Sequence, residues 1–229
     1  MDNRWSTLTF LHWAYEPAVV QRLLPPDLEV DARDGVAWVG LVPFRMQVSL
    51  PGRAAVPWAG RFPETNVRTY VRDASGGTGV WFFSLDASRL GVVAVGRAAY
   101  RVPYCWSRMR VEVDGSRVTY TCRRRLPGPR GAASHVEVEV GEPFRPDELT
   151  ALDHWLTARW VVFGAGRVRR CATAWHEPWP LRRAELVRCD DGLVAATGLP
   201  QPVGAPLLHH ADRVDVRIGH PARTHPGVA

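Results

Sequence analysis

From Phe62 to Cys122 the chain repeats one arrangement, a short run of β-branched and aromatic residues closed by a glycine turn, and this confines it to a sheet rather than a helical bundle. Asn66–Arg72 runs to a Gly76-Gly77 turn, Val80–Asp86 and Val92–Val102 follow, and Arg110–Val113 is joined to Val118–Cys122 by an Asp114-Gly115 hairpin signal. A meander is expected. Before it, Glu16–Leu24 reads as a helix with Pro17 in its first turn and Pro25-Pro26 as its stop, and Val36–Val48 as a long strand interrupted at Pro43. After it, His135–Val140 alternates as a half-exposed strand does. Pro146–Phe163 is the one long helical candidate, with Leu149, Leu152, Leu156 and Trp160 on one stripe. Arg167–Trp175, Ala184–Cys189 and Val214–Ile218 are further strands.

About ten strands with two or three helices imply a mainly β (α+β) fold, a curved antiparallel sheet closing into a barrel that can hold one small ligand. Residues 1–218 are expected to form one domain and 219–229 a flexible tail. A chain of 229 residues with 46% apolar and 23% charged residues can bury a core of that size. No stretch approaches a membrane span and the N-terminus shows no secretory signal, so a cytoplasmic protein without a membrane partner is expected. The four cysteines have neither zinc-knuckle nor redox spacing, and the adjacent His209-His210 lack a third ligand, so no metal is expected.

The net charge of +6 raises nucleic acid as a partner, but the arginines are scattered among acidic neighbours without a recognition motif, and no nucleic-acid partner is expected. All 29 basic residues are Arg. Because a guanidinium is not an amine nucleophile, no side chain here can form a Schiff base with a carbonyl compound.

Several runs together resemble a bacterial family, domain of unknown function 2071, whose fold is similar to that of acetoacetate decarboxylase. They are Leu11-His12-Trp13, Leu23-Leu24-Pro25, Glu64–Val71, Gly79–Asp86, Val102-Pro103-Tyr104, Arg159-Trp160 and His176–Leu181. In the decarboxylases an Ala-Val-Gly-Arg run leads to a Pro followed by two lysines. Here Ala94-Val95-Gly96-Arg97 leads to Pro103 and then to Tyr104 and Cys105. The resemblance implies an acetoacetate decarboxylase-like barrel that has lost its lysine pair and kept a pocket glutamate at Glu64. Relatives of this fold often assemble, so a homo-oligomer is an expected possibility.

Strand alternation puts Glu64, Asn66, Arg68 and Tyr70 on one face. If that face is the interior, Glu64 is a candidate general base, Arg68 a candidate carboxylate or enolate binder and Tyr104 a weak acid, the three catalytic candidates. Asn66, Tyr70, His12, His176 and Trp106 are candidate substrate-binding residues, with Trp175 and Trp179 as further pocket walls. The expected activity is cofactor-independent acid–base chemistry (isomerisation, dehydration, cyclisation or carbon–carbon cleavage) on a small carbonyl or carboxylate compound. The alternatives are a non-catalytic ligand-binding or sensing barrel, with Glu64 and Arg68 merely paired to each other, and an interaction protein without a ligand.

Overall fold

In the computed structural model, residues 2–49, 60–166 and 170–223 are described. The chain opens with a strand rather than the expected helix: β1 (Asp2–Tyr15) precedes the short helix α1 (Pro17–Gln21). There follow β2 (Leu28–Val30), β3 (Ala37–Ser49), β4 (Arg61–Asp73) and β5 (Thr78–Ala87). Pro43 does not interrupt β3. It lies where the β1–β3 ladder is itself broken between the Ser6–Arg45 and Leu11–Leu41 pairs, the place in a central strand where a residue without an N–H is tolerated.

The strand expected at Val92–Val102 is a helix instead, α2 (Leu90–Val95), continued by a π-helical turn at Gly96–Tyr100. The Val-rich composition favours a strand, but β6 (Tyr104–Asp114) pairs parallel to β5, and a parallel pair needs a crossover connection. The connection overrides the propensity. A meander of β6, β7 (Arg117–Leu126) and β8 (Ala133–Pro143) follows.

The long helix expected over Pro146–Phe163 is also shorter: α3 covers Ala151–Thr157, and Val161–Phe163 is strand β9, parallel to β5. Trp160, placed on the helical stripe by its spacing, lies outside the helix and is 40% exposed. The last strands are β10 (Arg170–His176), β11 (Leu181–Asp191), β12 (Leu207–Ile218) and β13 (Ala222–Arg223). Residues 167–169 of the expected strand Arg167–Trp175 lie outside the described residues. Within the stretch expected as a tail, Ala222–Arg223 pairs with β10, and residues 224–229 also lie outside the described residues.

The thirteen strands form one mostly antiparallel sheet that closes on itself in two ways. A ring of nine strands runs β4-β5-β6-β7-β8-β11-β12-β1-β3, and β9 and β10 bridge from β5 to β12 to close a second ring of seven. The rings share the wall β12-β1-β3-β4-β5, whose two faces therefore look into two different cores. One core takes Phe10, Phe44, Phe62, Leu85 and Val216; the other takes Leu11, Leu41, Val67, Tyr120 and Val138. Alternation along each wall strand supplies both cores from one run of sequence, which is why these strands read as almost continuously apolar.

Candidate active site

The first core is not completely filled. It contains a cavity of about 120 Å³ whose walls include Phe44, Phe62, Phe82 and Val102 and whose polar lining includes Glu64, Asn66 and Tyr104. Among the described residues no Arg or His side chain lines it.

Glu64 is carried by β4 in an unbroken β3–β4 register in which it faces Phe44, so the alternation read from sequence survives intact and Glu64, Asn66, Arg68 and Tyr70 all point inward. All four are buried. Tyr104 arrives by a different route. The α2 crossover returns the chain parallel to β5, pairing Tyr104 with Leu85, which in turn pairs with Asn66 on β4. Tyr104 and Glu64 therefore stand two strands apart, about 10 Å. A phenol from one side and a glutamate from the other close that gap over the small Ala87, and the Tyr104 hydroxyl donates to Glu64 Oε2 at 2.9 Å.

The Ala94-Val95-Gly96-Arg97 run makes this possible. A Cβ on Gly96 would lie 2.3 Å from the Tyr104 ring, so only glycine lets the helical segment pack against it. Arg97 donates from Nη1 to the Tyr104 carbonyl at 2.8 Å, holding the start of β6.

Burial dominates the electrostatics. The Glu64 carboxyl is pushed up to about 8, chiefly by desolvation and further by the charge of Asp86, with the Tyr104 hydrogen bond opposing. Near neutral pH it holds its proton. Burial and the adjacent Glu64 hold the Tyr104 phenol well above its usual value, so it remains a hydrogen-bond donor throughout. The Glu64–Arg68 pair of the alternative, non-catalytic reading is absent, and among the described residues Glu64 has no cationic partner.

Arg68 and Tyr70 lie deeper, outside the cavity wall, and His12 joins them. Tyr70 donates to the Leu156 carbonyl at 2.6 Å and lies 2.7 Å from His12 Nε2. The phenol's proton is thereby committed to Leu156, so His12 is the donor in that contact. Burial, then the nearby Arg68 charge, holds His12 far below its usual value and hence neutral. Gly40, across from His12, leaves room for its ring: a Cβ there would stand 3.0 Å from it. The Arg68 guanidinium packs over Phe10 and Tyr70 and reaches the Leu156 carbonyl at 3.4 Å. These groups anchor α3 to the wall.

His176 and Trp106, the other two substrate-binding candidates, do not line the cavity either. His176 is buried against Trp179, with Nδ1 2.7 Å from the Glu177 carbonyl, and Trp106 packs under Arg125. Trp175 borders an exterior groove, and Trp179 stacks on Trp5 inside the core. The sequence reading missed Asn3 and Trp5, which do line the cavity. A register break in β1, with Thr7 at φ 48°, lets Asn3 and Trp5 share the interior face with Leu8 and Phe10 despite their odd spacing.

The runs that pointed to a family thus fall at the site: Glu64–Val71 is the body of β4, Gly79–Asp86 the body of β5, and Tyr104 the start of β6. The DUF2071 family, described as an uncharacterized conserved protein, matches residues 2–215. The chain belongs to this family. The uncharacterized protein YqjF of Bacillus subtilis is 34% identical to it over 220 residues, covering 94% of this chain and 89% of YqjF. Among solved structures, an acetoacetate decarboxylase-like enzyme from Sphingomonas wittichii RW1 matches with a TM-score of 0.67 at 14% identity, covering 98% of this chain and 92% of that one. The enduracididine biosynthesis enzyme MppR, complexed with pyruvate, matches at 0.64 and 14% identity over 98% and 90% of the two chains. Acetoacetate decarboxylase from Legionella pneumophila matches at 0.61 and 18% identity over 98% and 88%. This DUF2071 chain therefore has the acetoacetate decarboxylase-like fold. No helix among the described residues is long and apolar enough to cross a membrane.

Proposed function

We propose that this DUF2071 protein is a small-molecule enzyme that moves a proton at the carbon next to a carbonyl group, using Glu64 and Tyr104 in place of a Schiff-base lysine. The observation that carries the reading is the pair itself: a buried carboxyl with no cation, 2.9 Å from a phenol, at the polar end of an apolar cavity. The fold shared with MppR, whose structure holds pyruvate, supports a small carbonyl ligand.

The cavity narrows the substrate class. An apolar cavity of about 150 Å³ takes one benzene, so about 120 Å³ suits a molecule of roughly five or six non-hydrogen atoms. Arg68, the residue expected to bind a carboxylate, is outside the wall, and an unpaired anion in an apolar cavity is strongly disfavoured. A neutral ketone or aldehyde fits better than a carboxylate.

In the enzyme form whose Glu64 has first lost its proton to solvent, a carbonyl oxygen takes over the Tyr104 hydrogen bond, and the freed Glu64 carboxylate accepts the proton from the adjacent carbon while Tyr104 stabilises the enolate oxygen. Glu64 then returns the proton to the same carbon or, in a conjugated substrate, to another. A pKa near the working pH suits a group that both takes and returns a proton.

Solvent-deuterium incorporation into a panel of small ketones, followed by mass spectrometry, tests this. The expected kcat/KM rises with pH as the free enzyme loses the Glu64 proton near pH 8. Glu64→Gln is expected to lower exchange by about a hundredfold or more, and Tyr104→Phe by a similar factor. Tight binding of a ketone with no exchange in the wild type would leave the binding-barrel reading in its place.

A further inference from the structure

The cavity has a second polar station that the acid pair does not use. Asn3 is 4% exposed and lines the cavity, yet among the described residues neither its amide nitrogen nor its amide oxygen has a partner. Trp5, two residues along β1 and also on the lining, has a buried indole N–H that is likewise unpaired. Buried polar groups are nearly always satisfied, so three unpaired atoms on neighbouring inward positions of one strand mark a place where a ligand supplies the partners.

The strand register separates this station from the first. Asn3 pairs with Val48 and Trp5 with Met46 on β3, whereas Glu64 pairs with Phe44 on β4. Between them the lining is apolar, made by Phe44, Met46 and Phe62. Asn3 also borders the exterior groove formed with Arg4, Gln47 and Arg217, so its station lies at the groove side of the cavity.

We infer that Asn3 and Trp5 hold the far end of the substrate, and that this end carries a hydroxyl group, making the ligand a short, neutral hydroxyketone or hydroxyaldehyde. A hydroxyl accepts from the Trp5 N–H and donates to the Asn3 oxygen, which an alkyl group cannot do and which a carbonyl does only in part. An anionic group is disfavoured, because neither residue carries a positive charge. The inference rests on the Glu64–Tyr104 reading for the orientation of the ligand, since that pair takes its carbonyl end.

Hydroxyacetone and butanone are isosteric and differ only in the terminal group, so their relative affinities for the intact protein read the station directly by calorimetry or ligand-observed NMR. The wild type is expected to prefer hydroxyacetone by about tenfold, the discrimination of a site that leaves polar groups unpaired when the hydroxyl is missing. Asn3→Leu, which keeps the branched shape without an unpaired amide, is expected to fold and to bring the ratio of the two affinities close to one; Trp5→Phe is expected to reduce it. Equal affinities in the wild type, as water filling the station would give, overturn the inference. So does a preference that survives in Asn3→Leu. The two readings fail separately: a preference that depends on Asn3, without any effect of Glu64→Gln on deuterium exchange, would keep the station and remove the proposed chemistry.

Discussion

Glu64 and Asp86 are two carboxyls buried on adjacent strands of the same wall, one register step apart, and they face opposite cores. Thr65 pairs with Asp86, and Glu64 with Ala87. In the second core Asp86 is fully enclosed and fully matched: Arg124 binds it through Nε at 2.9 Å and Nη2 at 2.6 Å, and Ser107 donates at 2.6 Å. In the first core the one hydrogen-bond partner of the Glu64 side chain among the described residues is the Tyr104 hydroxyl, and the carboxyl is pushed up to about 8. A matched charge can stay ionised inside a protein because its partner returns the solvation that burial removes; an unmatched one keeps its proton. The first arrangement closes a core. The second leaves a protonated carboxyl near neutral pH, and it is the one with a cavity beside it.

Removing the partner should break the first arrangement. Arg124→Met leaves Asp86 buried and uncompensated and is expected to cost about 3–5 kcal/mol in urea unfolding. The double variant Asp86→Leu with Arg124→Met, which removes both charges, should recover most of that loss. If the single variant is neutral, Asp86 does not depend on its partner and the contrast fails.

The same measurement on Glu64 should give the opposite sign. Its folded-state value of about 8 exceeds the ordinary carboxyl value of 4.5, so between these pH values the native protein holds a proton that the unfolded chain has released. The contribution is fully present below pH 4.5 and is lost as the pH rises through 8, with a slope of about 1.4 kcal/mol per pH unit. Glu64→Gln removes that slope. Its stability relative to wild type should therefore increase steadily from pH 5 to pH 8, and parallel curves for the two proteins would show that Glu64 ionises as freely as a surface carboxylate.

A smaller effect is expected at Gly96. An alanine Cβ would push on the Tyr104 ring from 2.3 Å, and Gly96→Ala should cost about 1–3 kcal/mol while displacing the phenol from Glu64. Deuterium exchange should fall much further than thermal stability. Equal losses in both would mean that the glycine serves packing alone.

Much of the first core was legible because the β3–β4 ladder carries no bulge between Arg61 and Thr69, so period-two reasoning puts Glu64, Asn66, Arg68 and Tyr70 on one face, and the structure makes that face the interior one. What periodicity does not carry is how far along that face the cavity extends. Arg68 and Tyr70 point inward but meet His12 and the α3 carbonyl of Leu156 before any open space. Asn3 and Trp5 were illegible for the complementary reason: the break in register near Thr7 exchanges odd for even positions, and no residue in Ser6-Thr7-Leu8 signals it. The Val92–Val102 run reads as a strand on propensity, and only the parallel pairing of β5 with β6 requires a helix there.

The sequence by itself determined that Schiff-base chemistry by a side chain is closed to this protein, because a nucleophilic amine cannot come from an arginine, and that Glu64, Asn66, Arg68 and Tyr70 share one face of a strand. The tertiary structure alone decided which of two buried carboxyls is paired with an arginine and which faces the cavity. That choice depends on which side of a shared wall Arg124 occupies and on a crossover that brings Tyr104 across Ala87 to Glu64, distances set by strand order and register rather than by anything local in the chain.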